Sequence, residues 1–249
     1  MKKTATIRAD VYFTALRLDE LQLKDRNVVV LDILRSGTSI AVALHGGAKQ
    51  IIPVNNIESA MKISGGLSSE VTLKAGERNA RMIEGFHLGN SPREFTPETV
   101  KGKSIIFLTT NGTSAVLKGR HARNLVMGGF VNLSRIVDFL AELKSDFVLL
   151  CAGKENAFSM EDAVCAGRIL NQFSRNFPGK LELNDSAVAA MTLDKNHGKA
   201  ILKMLKSSEH GRYLASIGLG EDLDICAAID SVPVLPRLEG TVLKLHAGG

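Results

Sequence analysis

The 249-residue sequence has few aromatic residues and no cluster of basic ones. It contains no tryptophan and two tyrosines, and its 31 lysine and arginine residues are scattered along the chain. Because nucleic-acid surfaces combine basic stripes with interleaved aromatic side chains, we predict no nucleic-acid partner. The net charge of +5 instead favours a small anionic ligand, since a diffuse positive balance concentrates anions around a cleft.

Cysteine and long apolar runs are also scarce. The three cysteines are odd in number and lack the close spacing of a disulfide framework or a CxxC metal site. No segment is long and apolar enough to cross a bilayer, and no apolar stretch follows the basic start of the chain. We therefore predict a cytoplasmic protein without a membrane partner, and we leave homo-oligomer formation open.

Short apolar runs alternate with segments of helical periodicity. Strands are predicted at 28–31, 51–54, 104–108, 125–127 and 147–150, and helices at 38–44, 131–140 and 160–170. This alternation predicts an α/β fold with a mainly parallel sheet and helices on both faces. After residue 180 the pattern is helical, up to a strand near 241–245. A single domain over 1–249 is the simplest prediction, with a helical layer or small sub-lobe at about 180–240 as its C-terminal portion.

Charged residues stand where the predicted strands end. Asp32 and Arg35 follow the strand at 28–31, and Glu77 and Arg78 form another adjacent acid and arginine. A strand-end aspartate is a frequent metal ligand or acid–base group, and arginine offers a planar fork to phosphate or carboxylate. Helix capping by Asp32 beside a surface Arg35 remains the alternative. Sites in such folds gather at the carboxyl ends of strands, so we expect these side chains in one pocket.

Two glycine-containing loops add neutral hydrogen-bond donors. The loop at 85–92 includes Asn90, and its glycines allow the backbone to approach a ligand closely. The turn from Thr109 to Thr113 enters a helix and presents amide and hydroxyl groups, as phosphate-binding turns do. A plain turn with Thr113 as the helix cap is the alternative.

Two carboxylates, Glu161 and Asp162, occupy the first turn of the helix predicted at 160–170, behind Ser159 as a natural N-cap. They either serve the helix, through a capping box between Ser159 and Asp162 and through the helix dipole, or face a positive or proton-accepting group. Acids and arginines at the other strand ends favour the second interpretation.

Familiar phosphoryl-transfer motifs are missing. The chain has no GxxxxGK[ST] loop, no cysteine followed by arginine six positions later, and Leu34 where an aspartyl-phosphate site needs a second acid after Asp32. If the protein cleaves a phosphate ester, a metal-activated water is the simplest remaining nucleophile.

Taken in order, these motifs resemble those of the 2-phosphosulfolactate phosphatase family, over residues 28 to 235. The matching segments are Asp32 to Arg35, Gly76 to Arg78, Gly85 to Pro92, Thr109 to Thr113, Cys151 to Gly153, Phe158 to Gly167 and parts of His210 to Pro233. Position 87 is His where the family pattern has Asp, which would change the charge at the pocket rim.

The resemblance implies a hydrolase that uses Mg²⁺ to convert 2-phosphosulfolactate to sulfolactate and phosphate, a step toward coenzyme M. It implies that Asp32, Glu161 and Asp162 are the catalytic residues and the best candidates for holding the metal or positioning its water, with Glu77 next. Magnesium keeps several waters, so one or two of these carboxylates would bind it directly and others would act through water. It implies substrate binding by Arg35 and Arg78, which would pair with phosphate and sulfonate, and by the neutral residues Asn90, Thr110, Asn111, Gly112 and Thr113.

Two other functions remain open from the residues alone. The same carboxylate–metal cluster would also stabilise an enolate in a lyase or isomerase acting on a phosphorylated small acid. A non-catalytic protein that binds such an acid would need similar side chains. Hydrolysis of a small anionic phosphate monoester is the leading hypothesis.

Overall fold

The computed structural model describes residues 6–16 and 18–246. Within them, one sheet contains eleven strands, which are β1 Thr6–Tyr12, β2 Asn27–Leu31, β3 Gln50–Val54, β4 Thr72–Arg78, β5 Arg81–Met82, β6 Ser104–Leu108, β7 Asn124–Gly128, β8 Phe147–Cys151, β9 Lys180–Leu183, β10 Pro236–Glu239 and β11 Val242–Leu245. The α-helices are α1 Glu20–Leu23, α2 Ser36–His45, α3 Ile57–Gly65, α4 Pro97–Val100, α5 Gly112–Lys118, α6 Leu133–Leu143, α7 Met160–Asn176, α8 Asp185–His197, α9 Ile201–Ser207, α10 Glu209–Ser216 and α11 Asp222–Ala227.

Most of the sheet is parallel, in two blocks. One block has the order β4–β6–β3 and the other β7–β2–β8–β1–β9. The antiparallel hairpin of β10 and β11 lies between them and pairs with β7 and β3. The predicted α/β class and mainly parallel sheet are confirmed, with antiparallel pairs at this hairpin and between β4 and β5.

The central strands are buried on both sides. Val29 and Leu31 of β2 join a hydrophobic cluster that includes residues of α6, α7 and α8, whereas Val28 and Val30 join a second cluster with residues of α2 and α5. Alternate side chains of a strand point to opposite faces, so β2 needs an apolar residue at every position. This packing is consistent with the predicted helices on both faces of the sheet.

All five strands predicted from apolar runs are present, and so are helices at the three predicted segments. The sequence analysis missed β1, β4, β5, β9 and β10. Among these, β4 reads Thr-Leu-Lys-Ala-Gly-Glu-Arg, in which polar residues interrupt the apolar pattern. It forms because β6 pairs with it along five residues. This miss matters because β4 carries Glu77.

The C-terminal portion contains α8 to α11 between β9 and β10. Apolar residues of these helices, such as Ala190, Leu205 and Leu214, belong to the same hydrophobic cluster as Val29 of the sheet. The strand predicted near 241–245 is confirmed as β11, while the single-domain count stays a prediction. Among the described residues, no helix combines the length and apolar character that a bilayer crossing requires.

Candidate active site

A cavity lies at the carboxyl ends of β2, β4, β6 and β8. Six residues predicted from the sequence line it, namely Asp32, Arg35, Glu77, Asn90, Thr110 and Asn111. The remaining lining residues, which the sequence analysis did not select, are Leu34, Ser36, Asn79, Ala80, Lys154, Glu155, His210 and Tyr213. Strand ends from both parallel blocks therefore meet at one site, as expected for this fold class.

Asp32 is the buried acid of this cavity. Asp32 is 5% exposed, and burial is the main cause that raises the pKa of its carboxyl group to about 6. The charge of Glu77 contributes to this rise, while hydrogen bonds from Ser36 and the charge of His210 oppose it. The Ser36 backbone N–H donates to Asp32 Oδ1 over 3.3 Å. The neighbours of Asp32 thus stabilise its charged form too little to offset the cost of burying it.

Gly112 brings the start of α5 against Asp32. A Cβ atom at Gly112 would lie 2.5 Å from Asp32 Oδ2 and 2.7 Å from Ser36 Cβ, so a side chain does not fit there. The Ser36 hydroxyl donates to Thr109 Oγ1 over 3.2 Å, which ties the same two loops together. The glycine predicted in a ligand-binding turn therefore allows close packing on the acid.

Glu77 holds two loops of the cavity in place. Its Oε1 accepts a bond from the Thr110 backbone N–H and its Oε2 one from the Ala80 N–H, each over 2.8 Å. Glu77 is buried and its negative charge acts on Asp32. The Glu77 carboxylate therefore adds negative charge to the site, although both of its oxygens already accept backbone hydrogen bonds.

Asp162 is similarly engaged by the backbone. Its Oδ1 accepts from Ile33 N–H over 2.9 Å and its Oδ2 from Gly153 N–H over 3.1 Å. Burial raises its pKa well above the usual range, and the charges of Asp32 and Glu161 add to that rise. Asp162 does not line the cavity. The structure brings it next to Asp32, as expected, where it joins the loop after β2 to the loop after β8.

The capping box, the alternative role for Ser159 and Asp162, is half present. The Ser159 hydroxyl accepts the Asp162 backbone N–H over 3.4 Å, which confirms Ser159 as the N-cap. The Asp162 carboxylate does not complete the box, because it bonds to the two neighbouring loops.

Glu161 reaches the site through His210. Its Oε1 lies 3.5 Å from His210 Nδ1, and both side chains are largely buried. Glu161 lines a neighbouring cavity, whereas His210 lines that cavity and the Asp32 cavity. In the sequence, His210 stood out only as part of the family pattern, because nothing in its spacing relates it to Glu161.

The two arginines expected to bind the substrate occupy different positions. Arg35 is buried in the cavity wall, where Nη1 donates to Asp222 Oδ2 over 2.7 Å and Nη2 to Ala80 O over 2.9 Å. Arg78 is exposed, with Nη1 donating to Glu77 O over 3.4 Å, and it is not among the residues that line the cavity. The structure therefore places only Arg35 at the site, with two of its nitrogens already bonded.

Thr113 and His87 also lie away from the lining. The Thr113 hydroxyl donates to Thr109 O over 2.8 Å, so it stabilises the turn. His87 is exposed, and its Nδ1 accepts the Lys74 backbone N–H over 2.9 Å. The expectation that His87 alters the charge at the pocket rim is wrong, because this bond holds the ring beside β4 rather than at the cavity.

One buried polar atom in the cavity wall lacks a partner. Among the buried side-chain nitrogen and oxygen atoms of the described residues, Asn90 Oδ1 is the one that makes no hydrogen bond. Over those same residues, no group of three or more His, Cys, Asp or Glu side chains is arranged to hold a metal ion. A cation at this site would thus depend on one or two direct carboxylates, together with other oxygen atoms.

Comparisons with known proteins identify the family of the chain. A family model described as 2-phosphosulpholactate phosphatase matches residues 12–241. The chain belongs to the 2-phosphosulfolactate phosphatase family. A probable 2-phosphosulfolactate phosphatase of Caldanaerobacter subterraneus subsp. tengcongensis is 37% identical over 233 residues, which are 94% of this chain and 96% of the relative.

Two further relatives carry the same name, probable 2-phosphosulfolactate phosphatase. The protein of Clostridium novyi is 35% identical over 231 residues, covering 93% of this chain and 97% of the relative. That of Symbiobacterium thermophilum is 36% identical over 226 residues, covering 90% and 97%. Membership of the 2-phosphosulfolactate phosphatase family confirms the resemblance seen in the motifs. The family is one of phosphoric monoester hydrolases, the enzyme class that the motifs predicted.

Proposed function

We propose that the chain hydrolyses 2-phosphosulfolactate to sulfolactate and phosphate, with Mg²⁺ bound at the Asp32 cavity. The family match supports the substrate and the reaction. The observation that carries the assignment to this cavity is Asp32 itself, a buried carboxylate with a raised pKa that lines a space shared by the ends of four strands.

The residues of the cavity fit a magnesium ion. Mg²⁺ prefers oxygen ligands and keeps several waters, so one or two protein carboxylates are enough. A cation would give Asn90 Oδ1 the partner that it lacks and would offset the repulsion between Asp32 and Glu77. Asp32 and Asn90 would therefore hold the ion, with Glu77 adding negative charge. When bound, the ion supplies Lewis-acid activation of water and neutralises phosphate charge.

The chain supplies the remaining chemistry through positioned side chains. Asp32 would hold the ion and orient the attacking water beside it. His210, next to Glu161, offsets the charge of Asp32. Glu77 keeps Thr110 at the cavity through its backbone bond. Together these contacts fix the site before substrate binds, which lowers the reorganisation needed during the reaction.

Phosphate release from synthetic 2-phosphosulfolactate tests the proposal. We expect release by the purified protein, its loss in EDTA, its return when Mg²⁺ is restored, and its loss in Asp32→Asn. Absence of release with Mg²⁺ present would contradict hydrolysis. Conversion of the substrate without phosphate would instead indicate the lyase or isomerase alternative, and binding without conversion a non-catalytic protein. Release that EDTA leaves unchanged would remove Mg²⁺ from the proposal.

Two expectations from the sequence accompany this function as predictions, a place in coenzyme M synthesis and a cytoplasmic location. Homo-oligomer formation stays open, and gel filtration of the purified chain would test it.

A further inference from the structure

The proposed substrate poses a charge problem for this cavity. Besides its phosphate, 2-phosphosulfolactate carries a carboxylate and a sulfonate, while the lining already contains Asp32, Glu77 and Glu155. The basic side chains of the lining are Arg35, Lys154 and His210. Since a second substrate anion needs a cationic partner, it matters which of these three is available.

Two of these three basic side chains are committed to buried partners. Arg35 forms a buried ion pair with Asp222 and also donates to Ala80 O. His210 faces the buried carboxylate of Glu161. Turning either side chain toward a ligand would leave a buried carboxylate without its partner, which is strongly unfavourable.

Lys154 has a partner that it can exchange. Its Nζ lies 2.6 Å from Glu209 Oε1, in a pair whose side chains are 23% and 78% exposed. Because the Glu209 carboxylate is exposed, water solvates it when the pair opens, and an ion pair open to solvent on one side contributes little to stability. Lys154 can therefore leave Glu209 for a substrate anion at little cost in folding free energy.

The backbone of Lys154 is fixed even though its side chain is not. Lys154 and Ala157 exchange two backbone hydrogen bonds of 3.1 and 2.8 Å around Glu155 and Asn156, whose φ angles are 51° and 65°. Positive φ at both central residues is the mark of a tight two-residue turn. The Glu155 N–H also donates to Asn111 Oδ1 over 3.0 Å, which holds the turn against the cavity.

We propose that Lys154 binds the carboxylate or sulfonate of the substrate, exchanging Glu209 for it, and so selects phosphate esters that carry a second anion. This inference rests on the proposed function, since it assigns a subsite to the same cavity. Lys154 determines which phosphate esters bind well, and Glu209 competes with the substrate anion for the Lys154 ammonium group.

The specificity ratio of Lys154→Gln tests this assignment. We expect kcat/KM for 2-phosphosulfolactate, divided by kcat/KM for phenyl phosphate, to fall roughly 10- to 100-fold, the loss expected for one charge-assisted hydrogen bond. Lys154→Arg should restore most of the ratio. Lys203→Gln, at an exposed lysine of α9, controls for the change in net charge. An equal loss for both esters would overturn the proposal, because Lys154 would then serve the cavity in general.

The opposite change at Glu209 sharpens the test. Glu209→Gln removes the competitor while keeping the size of the side chain, so we expect a lower KM for 2-phosphosulfolactate at unchanged kcat. A raised or unchanged KM would contradict the exchange of partners.

Calorimetric binding of sulfolactate separates this inference from the proposed function, because it requires no chemical step. We expect weaker binding to Lys154→Gln and tighter binding to Glu209→Gln than to the unmodified chain. A chain that binds sulfolactate in this order but releases phosphate from neither ester would disprove the hydrolase and retain the subsite. No binding to the unmodified chain, or equal binding by all three, would disprove the subsite.

Discussion

Asp32 after β2 and Asp162 in the first turn of α7 are two buried aspartates in neighbouring regions with different surroundings. They are 5% and 2% exposed, and burial raises the pKa of both. Asp162 accepts backbone bonds on both oxygens, one from each of two loops. Asp32 lines the cavity, and the hydrogen bonds that stabilise its charged form come from a single residue, Ser36.

The comparison shows that burial and a raised pKa do not by themselves distinguish a reactive acid from one that holds loops together. What differs is where the oxygen atoms point. A carboxylate that satisfies two backbone N–H groups stabilises the structure locally, whereas one that faces a cavity keeps oxygens for a ligand. Each prediction below changes one side of this comparison.

Asp32→Asn should have the largest effect on activity. We expect phosphate release to fall about 10²- to 10⁴-fold, the range for loss of a group that moves a proton or positions the reacting water. Urea unfolding should show unchanged or higher stability, because the substitution removes a buried charge. A large loss of stability together with activity would place Asp32 in the same class as Asp162.

Gly112→Ala should disturb Asp32 without touching its charge. The new Cβ would lie 2.5 Å from Asp32 Oδ2, so the carboxylate or α5 must move. We expect activity to fall on the order of 10²-fold through this displacement, and stability by about 1–3 kcal/mol through overpacking.

Gly65→Ala is the matched control, since no heavy atom lies within 4 Å of a Cβ atom placed there. It should leave activity unchanged. Full activity of Gly112→Ala would show that the contact with Asp32 is unimportant.

Asp162→Asn should act mainly on stability. Asparagine keeps one acceptor oxygen, so either the Ile33 or the Gly153 N–H loses its partner. We expect a loss of about 1–3 kcal/mol in urea unfolding, the cost of one buried unsatisfied donor. Asp185→Asn, in the exposed first turn of α8, should change stability by less than about 0.5 kcal/mol. A fully stable but inactive Asp162→Asn protein would return Asp162 to the group of reactive acids.

The pH dependence of stability should show the smallest effect. The pKa of Asp32 is raised in the folded protein from 3.8 to about 6, so its protonated form stabilises the fold at low pH and that contribution disappears as pH rises through about 6. Asp32→Asn should therefore gain stability over the unmodified chain by an amount that grows between pH 4 and 7, on the order of 1–2 kcal/mol. Unfolding curves in EDTA at both pH values measure it. A difference that does not change with pH would contradict the raised pKa.

The predictable part of the fold followed from patterns that are local in sequence. The strand at 104–108 was predicted with its observed bounds, because a continuous apolar run at such length is typical of a buried parallel strand. β1 and β4 were missed because charged residues interrupt their apolar pattern, and their pairing with β8 and β6 is a property of the sheet.

For the site, the sequence predicted segments that the structure brings around the cavity, but not the direction of each side chain. Arg35, Asp162 and Thr113 are all in the loops that build the cavity, yet their polar atoms bond to the protein. Lys154 and His210 were not selected, since neither forms a pattern with a residue near it in the chain. Their roles depend on Glu209 and Glu161, which folding brings beside them.

The sequence by itself determined the parallel α/β class, the buried strands, the loops that follow them and the family to which the chain belongs. It could do so because side-chain periodicity and motif order are encoded along the chain. The tertiary structure alone decided which acids keep free oxygens and which cations can change partners. Those properties depend on hydrogen bonds between loops that are distant in sequence, and on how deeply each pair is buried.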